Sequence, residues 1–123
     1  MKRSAPIKRK TPLRAKAPRK KTARPEMTPI RESAKGQPCQ VRVPGICNHD
    51  PATTVLAHLN GSGTGAKASD HEAAYACSDC HSWLDGGYTQ EGTARSTRDL
   101  YHLQAVIRTQ SILIDLGLME VAA

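Results

Sequence analysis

Cys77, Cys80 and His81 stand together in the stretch YACSDCHSW, residues 75–83. Cys-x-x-Cys-His is the attachment signature of a c-type haem, and Cys-x-x-Cys is equally half of a zinc knuckle. Cys39 and Cys47, with seven residues between them, supply a second pair. Two cysteine pairs brought together by a small fold can enclose one tetrahedral Zn²⁺ in four thiolates. The bland alternatives are free buried thiols, or Cys77 and Cys80 as a redox pair. A haem would need export and a pocket to wrap it. The basic N-terminus is followed by no apolar segment of the signal-peptide kind, so a secretory signal is not expected. In a reducing cytosol, four cysteines favour a metal over two disulfides.

If zinc takes all four sulfurs, His81 is left over, free to bind something else from the first turn of a short helix. Asp85 lies four residues on and shares its helix face. His58 ends the β-branched, apolar run TTVLAHL, residues 53–59. A neutral imidazole near its reference pKa suits a general base at cellular pH. Each residue also has a plainer role. His58 could be a core histidine, His81 a zinc ligand in place of a cysteine, and Asp85 a helix-end residue. His49, beside Asp50-Pro51, reads as loop, and His71 beside Asp70 can be surface.

These side chains need elements to position them. CQVRVPGIC, residues 39–47, alternates Val41 and Val43 with polar neighbours before Pro44-Gly45, and predicts a short strand and turn with a cysteine at each end. TTVLAHL predicts a strand. NGSGTGAKASD, residues 60–70, is a Gly-rich loop without P-loop spacing, whose Lys67 is followed by no helical pattern. EAAYA, residues 72–76, predicts a second strand pairing back on the first. Ser78 or Asp79 can cap a short helix over 80–85, ended by Gly86-Gly87. Ser96 and Asp99 form a capping-box signal for a long helix over about 97–116, with Gly117 as its stop. Leu100, Leu103, Val106, Ile107, Leu113 and Ile114 share one face at helical spacing, which predicts the face that closes the core. The fold class is α+β.

The N-terminal third differs in kind. Residues 1–36 carry thirteen Lys or Arg against Glu26 and Glu32, and five of the eight prolines. Residues 37–123 carry five basic and nine acidic side chains. We read 1–36 as a disordered, extended basic arm and 37–123 as one small domain. With no Phe, one Trp and three Tyr, that domain has little to bury and gains much from a structural metal. The arm suits counterion displacement from phosphates, through Lys8, Arg9, Lys10, Arg14, Arg19, Lys20 and Lys21, with Lys67 joining from the loop. A solubilising tail is the alternative. No run of 18 apolar residues is present, so no membrane-spanning helix is expected.

The segments CQVRVPGICN, TTVLAHL, Asp70, ACSDCHSWLDG and RTQ at 108–110 together resemble the HNH (ββα-metal, His-Me finger) endonucleases, in particular the small nucleases of phages and prophages. The resemblance covers about residues 39–117. It implies a zinc-stabilised ββα-metal domain with a long C-terminal helix. It implies that His58 is the general base and that His81 holds a divalent metal, Mg²⁺ or another ion, at the scissile phosphate. It implies hydrolysis of nucleic acid, DNA foremost, in the cytoplasm of a bacterial host. The sequence departs from the family in two places. Ala57 stands where a second metal ligand often precedes the base, and the Asn that orients the base has no direct match. Asp70 or His71 is nearest to that Asn, and Asp70 is assigned to the catalytic pair. Asp85 is the first choice as second metal ligand, followed by Asp70, His71 and His102. The competing function is a non-catalytic zinc-binding nucleic-acid module.

Overall fold

The computed structural model describes residues 27–59 and 68–122. A short helix, α1 (Pro29–Ser33), opens the described chain. Strands β1 (Val55–His58) and β2 (Ala73–Ala76) form an antiparallel hairpin in the register Val55↔Ala76, Leu56↔Tyr75, Ala57↔Ala74 and His58↔Ala73. Helix α2 (Ser78–Ser82) follows at once, runs on through a wide turn at Trp83–Gly87, and passes via α3 (Tyr88–Gln90) into the 21-residue α4 (Arg95–Asp115). No described helix is long and apolar enough to cross a membrane.

The core is built from small side chains. All four residues of β2 are buried, and three of them are alanines. This lets α4 lie close against the strand, with Ala105 and Val106 on one side and Leu113 beside Tyr75 on the other. Trp83 supplies the one large apolar wedge, set edge-on to Tyr88 and Tyr101 at 6.1 and 5.7 Å between ring centres. Thr109 joins helix to strand: its hydroxyl donates to Ala105 O at 2.8 Å and accepts from the Tyr75 N–H at 3.0 Å.

Several expectations are corrected. The arm does not extend to residue 36. Thr28 caps α1 through its hydroxyl, Pro29 occupies the first helical turn, and Ala34 is buried. A Thr-Pro pair is itself a helix start signal, outweighed in the sequence by the surrounding basic residues. The segment at 39–43 is not a strand. Val41 and Val43 are buried as the alternation requires, but Arg42 has φ +51°, which breaks the extended chain. One hydrogen bond, Gln40 N–H to Tyr75 O, joins it to the sheet edge.

The long helix begins at Arg95, so the Ser96–Asp99 capping box does not form. Ala94 is the cap without a side-chain bond, and Asp99 pairs with Arg98 at 2.8 Å. Gly117, φ +73°, does stop the helix, with the Leu118 N–H returning to Leu113 O. The expected core face is rotated. Of the six residues expected inside, Val106 and Leu113 are buried, but Leu100, Leu103, Ile107 and Ile114 are exposed, and Arg98, His102, Ala105 and Thr109 are buried beside the first two. Arg98 donates to Leu84 O, His102 Nε2 meets Ala57 O and Thr109 donates to Ala105 O, which makes that face tolerable in the core; Arg98 Nε, set against the Asp99 carboxylate, makes no hydrogen bond. Residues 1–26, Lys67 and most of the Gly-rich loop lie outside the described residues, and with them every assigned nucleic-acid contact.

Candidate functional site

The four cysteines meet at one point. Cys39 and Cys47 bracket the turn at Pro44–Ile46, while Cys77 and Cys80 straddle the start of α2. Their sulfurs all lie within 4.8 Å of one another, and Cys47 Sγ and Cys77 Sγ are 3.8 Å apart. Four thiolates at ~2.3 Å from one tetrahedral zinc sit about 3.8 Å from each other, so the donor set and its size fit this ion. Cys39, Cys77 and Cys80 are buried, and Cys47 is the partly exposed corner. The Cys77 sulfur also caps α2 by accepting from the Cys80 N–H at 3.3 Å. The same sulfur that joins the four-cysteine cluster is thus the cap of α2.

The thiols are electrostatically unequal. A hydrogen bond from Cys80 is the main reason the Cys39 thiol is lowered to about 4, helped by backbone N–H groups. The same bond, then burial, pushes Cys80 up. The lowering at Cys39 favours the thiolate, which is the form that binds a metal.

The second constellation surrounds Asp70. His58, the last residue of β1, places Nε2 2.7 Å from Asp70 Oδ1. Arg31 Nε donates to the same oxygen at 3.2 Å, and the Thr28 hydroxyl donates to Oδ2 at 2.5 Å. The Thr28 hydroxyl, followed by His58 and Arg31, holds the Asp70 carboxyl below its ordinary value against the opposing effect of burial. An ionised carboxylate only accepts, so His58 Nε2 is the donor in this bond, and in the neutral imidazole that leaves the lone pair on Nδ1. The arrangement can therefore orient one imidazole nitrogen as a proton acceptor. Both side chains are about four-fifths buried, with 17% and 18% exposure, so the pair is reachable but not loose.

The histidine after the knuckle sits elsewhere on the same short helical stretch. His81 Nε2 faces Asp85 Oδ2 at 3.6 Å, one turn apart, and both side chains are well exposed. No hydrogen bond or ion pair joins this pair to His58 and Asp70 among the described residues. Nor do the described residues hold a second cluster of three potential metal ligands beside the cysteines. His102 is withdrawn from the ligand candidates: it is buried with Nε2 on Ala57 O at 2.9 Å, and desolvation lowers its pKa. His71 lies on the surface against Glu72 at 3.7 Å. His49, read as loop, approaches Cys47 Sγ through Nδ1 at 3.6 Å. Sequence reading missed Thr28 and Arg31, because both fell inside the segment read as arm.

Residues 28–118 match the protein family described as "Putative nuclease YbcO". The chain belongs to the YbcO family. The YbcO match starts at Thr28, the residue that caps α1 and binds Asp70, and ends just past α4. It contains all four cysteines, His58, Asp70, His81 and Asp85, and leaves out residues 1–27. A curated YbcO relative from Escherichia coli (strain K12), "Putative nuclease YbcO", is 38% identical over 104 residues, covering 76% of this chain and 99% of the relative. A relative of the same name from Enterobacteria phage 82 has the same identity and coverage. A solved structure, titled "Structure of a putative bacteriophage protein from Escherichia coli str. K-12 substr. MG1655", is similar with a TM-score of 0.60 at 35% identity. It covers 72% of this chain and all of that one.

Proposed function

We propose that this YbcO-family chain is a metal-dependent endonuclease of the HNH type, acting on phosphodiester bonds in DNA in the cytoplasm of a bacterial host. The observation that carries this reading is the 2.7 Å contact between His58 and Asp70, with the second carboxylate oxygen held by Thr28. In this reading Asp70 fixes the imidazole, and His58 Nδ1 takes the proton from the attacking water. Asp70 does what the family's middle Asn does, from a different residue type. The β1–β2–α2 order supports the ββα-metal assignment, with the cysteine site closing the hairpin against α2. The names of the relatives from Escherichia coli and phage 82 support a nuclease of phage or prophage origin.

His81 and Asp85 are the residues that would hold the catalytic divalent ion, Mg²⁺ or another. One imidazole and one carboxylate on an exposed helix face fit a partly hydrated ion that takes its remaining ligands from water and phosphate oxygens. When bound, the ion supplies Lewis-acid stabilisation of the phosphate and the leaving oxygen. The four cysteines are assigned to structural Zn²⁺.

The test is cleavage of plasmid and oligonucleotide DNA by the zinc-loaded full chain, with Mg²⁺ or Mn²⁺ added. The His58→Ala variant, with its zinc content and melting curve retained, is expected to lose cleavage by at least about a hundredfold. Wild-type rates in that variant would refute the reading. One observation favours a second reading, the non-catalytic zinc-binding nucleic-acid module: Ala57 stands where a metal ligand often precedes the base. Tight binding with no cleavage by wild type in any divalent ion would select it.

A further inference from the structure

Arg31 uses only part of its guanidinium inside the protein. Its Nε donates to Asp70, and its two terminal nitrogens make no hydrogen bond among the described residues. The side chain is 29% exposed. It lines a cleft of about 480 Å³ formed by Met27, Lys35, Ala52, Thr54, Val55 and Leu56, with Glu32 also at its wall. Lys35 lies one turn after Arg31 along the chain, so the polar wall carries two cations against one carboxylate. The floor is apolar, with Val55 itself 42% exposed. Met27 stands at one side of the cleft, where the basic residues 1–26 join the described chain.

We infer that Arg31 couples substrate binding to orientation of the base: its Nε holds the Asp70 carboxylate that positions His58, while its terminal nitrogens take a backbone phosphate of a nucleic-acid strand lying in the adjoining cleft. The inference rests on the nuclease reading above and adds a subsite to it. A cation-lined wall over an apolar floor matches a nucleotide, whose phosphate is anionic and whose base presents an apolar face. Guanidinium suits the task because its fork can serve a carboxylate along one edge and a phosphate along the other. Lysine gathers its three donors on one nitrogen and lacks the two fixed, separated edges of the guanidinium. Glu32 opposes a phosphate near it, which places the favoured phosphate at the Arg31 side of the wall.

The experiment uses the full, zinc-loaded chain and a fluorescent oligonucleotide. Affinity is measured over a salt series with Ca²⁺, and cleavage by single-turnover and steady-state kinetics with Mg²⁺ or Mn²⁺. Arg31→Gln is expected to weaken binding, to reduce the slope of log affinity against log salt by about one, and to lower kcat as well. Arg31→Lys should restore most of the salt slope but not kcat, because the charge returns without the two-sided fork. An Arg31→Gln protein with wild-type affinity and salt slope would overturn the inference while leaving the nuclease reading intact. So would an Arg31→Lys protein with fully restored kcat. Zinc content and melting temperature guard against a folding defect. If Arg31→Gln misfolds, Arg31→Lys carries the test through its slope-against-kcat split. If wild type neither binds nor cuts, the nuclease reading falls first and this one with it.

Discussion

Asp70 is the residue on which the candidate site turns, because three side chains from two distant segments converge on it. Its two oxygens accept from His58, Arg31 and Thr28. A carboxylate so engaged has little left for a metal ion, which favours Asp70 as the orienting group and Asp85 as the partner of His81. Spacing made the cysteine cluster legible in the sequence, and resemblance singled out His58 and Asp70, which the structure brings into contact. Neither could make Thr28 legible, since a threonine earns its role here only from a contact 42 residues away. Thr28→Val keeps the shape and removes the hydroxyl that both caps α1 and binds Asp70. It is expected to cost about 1 kcal/mol of stability through the lost cap. On the nuclease reading proposed above, it should also lower kcat by roughly 10- to 100-fold through the loosened base, while leaving the salt dependence of binding as in wild type. Thr28→Ser should recover most of both. Urea melts and single-turnover cleavage measure the two effects separately, and a Thr28→Val enzyme with wild-type kcat would remove Thr28 from the site.

At the scale of elements, the hairpin and the two helices were readable in outline, and their errors share one cause. Periodicity counts leucine and isoleucine as core, and so centred the buried face of α4 too far round: Val106 and Leu113 are buried as expected, while Leu100, Leu103, Ile107 and Ile114 are exposed. The helix instead buries Ala105, Thr109 and His102, because a strand of alanines invites close approach and the polar groups find partners on reaching it. Likewise the run at 39–43 has strand-like alternation, but Cys39 and Cys47 meet Cys77 and Cys80 in one cluster, and Arg42, at φ +51°, breaks the extended chain between them. The rotated helix face gives a direct prediction. Ala105→Leu, at a position with no exposure, should destabilise by about 1–3 kcal/mol through overpacking. Ile107→Gln, at 64% exposure, should change stability by no more than about 0.5 kcal/mol. Urea midpoints of the zinc-loaded proteins measure both, and the reverse ranking would mean that α4 packs on the face the periodicity implied.

For the whole molecule, the decisive feature is where the basic segment ends. Residues 1–26 hold eleven of the eighteen Lys and Arg side chains, yet the next few residues belong to the site through Thr28 and Arg31. Composition places the boundary at residue 36, because charge and proline continue past residue 26 through Pro29, Arg31 and Lys35. Structure divides the same stretch by what it touches. Two truncations should therefore behave differently if the chain is a nuclease with an electrostatic arm. Removing residues 1–26 takes away phosphate-binding charge and spares the carboxylate cluster. Affinity for DNA should fall most at low salt, the salt slope should flatten, and kcat at saturating substrate should stay within about twofold, since distant charges contribute to binding in both ground and transition states. Removing residues 1–36 additionally removes the hydroxyl and the guanidinium from Asp70, and uncovers Tyr75, whose hydroxyl lies 2.7 Å from that of Ser33. That protein should lose kcat as well, by at least tenfold beyond the shorter truncation, and should melt earlier. Equal kcat in the two truncated proteins would show that α1 serves only as a tether, and would leave His58 and Asp70 to orient themselves.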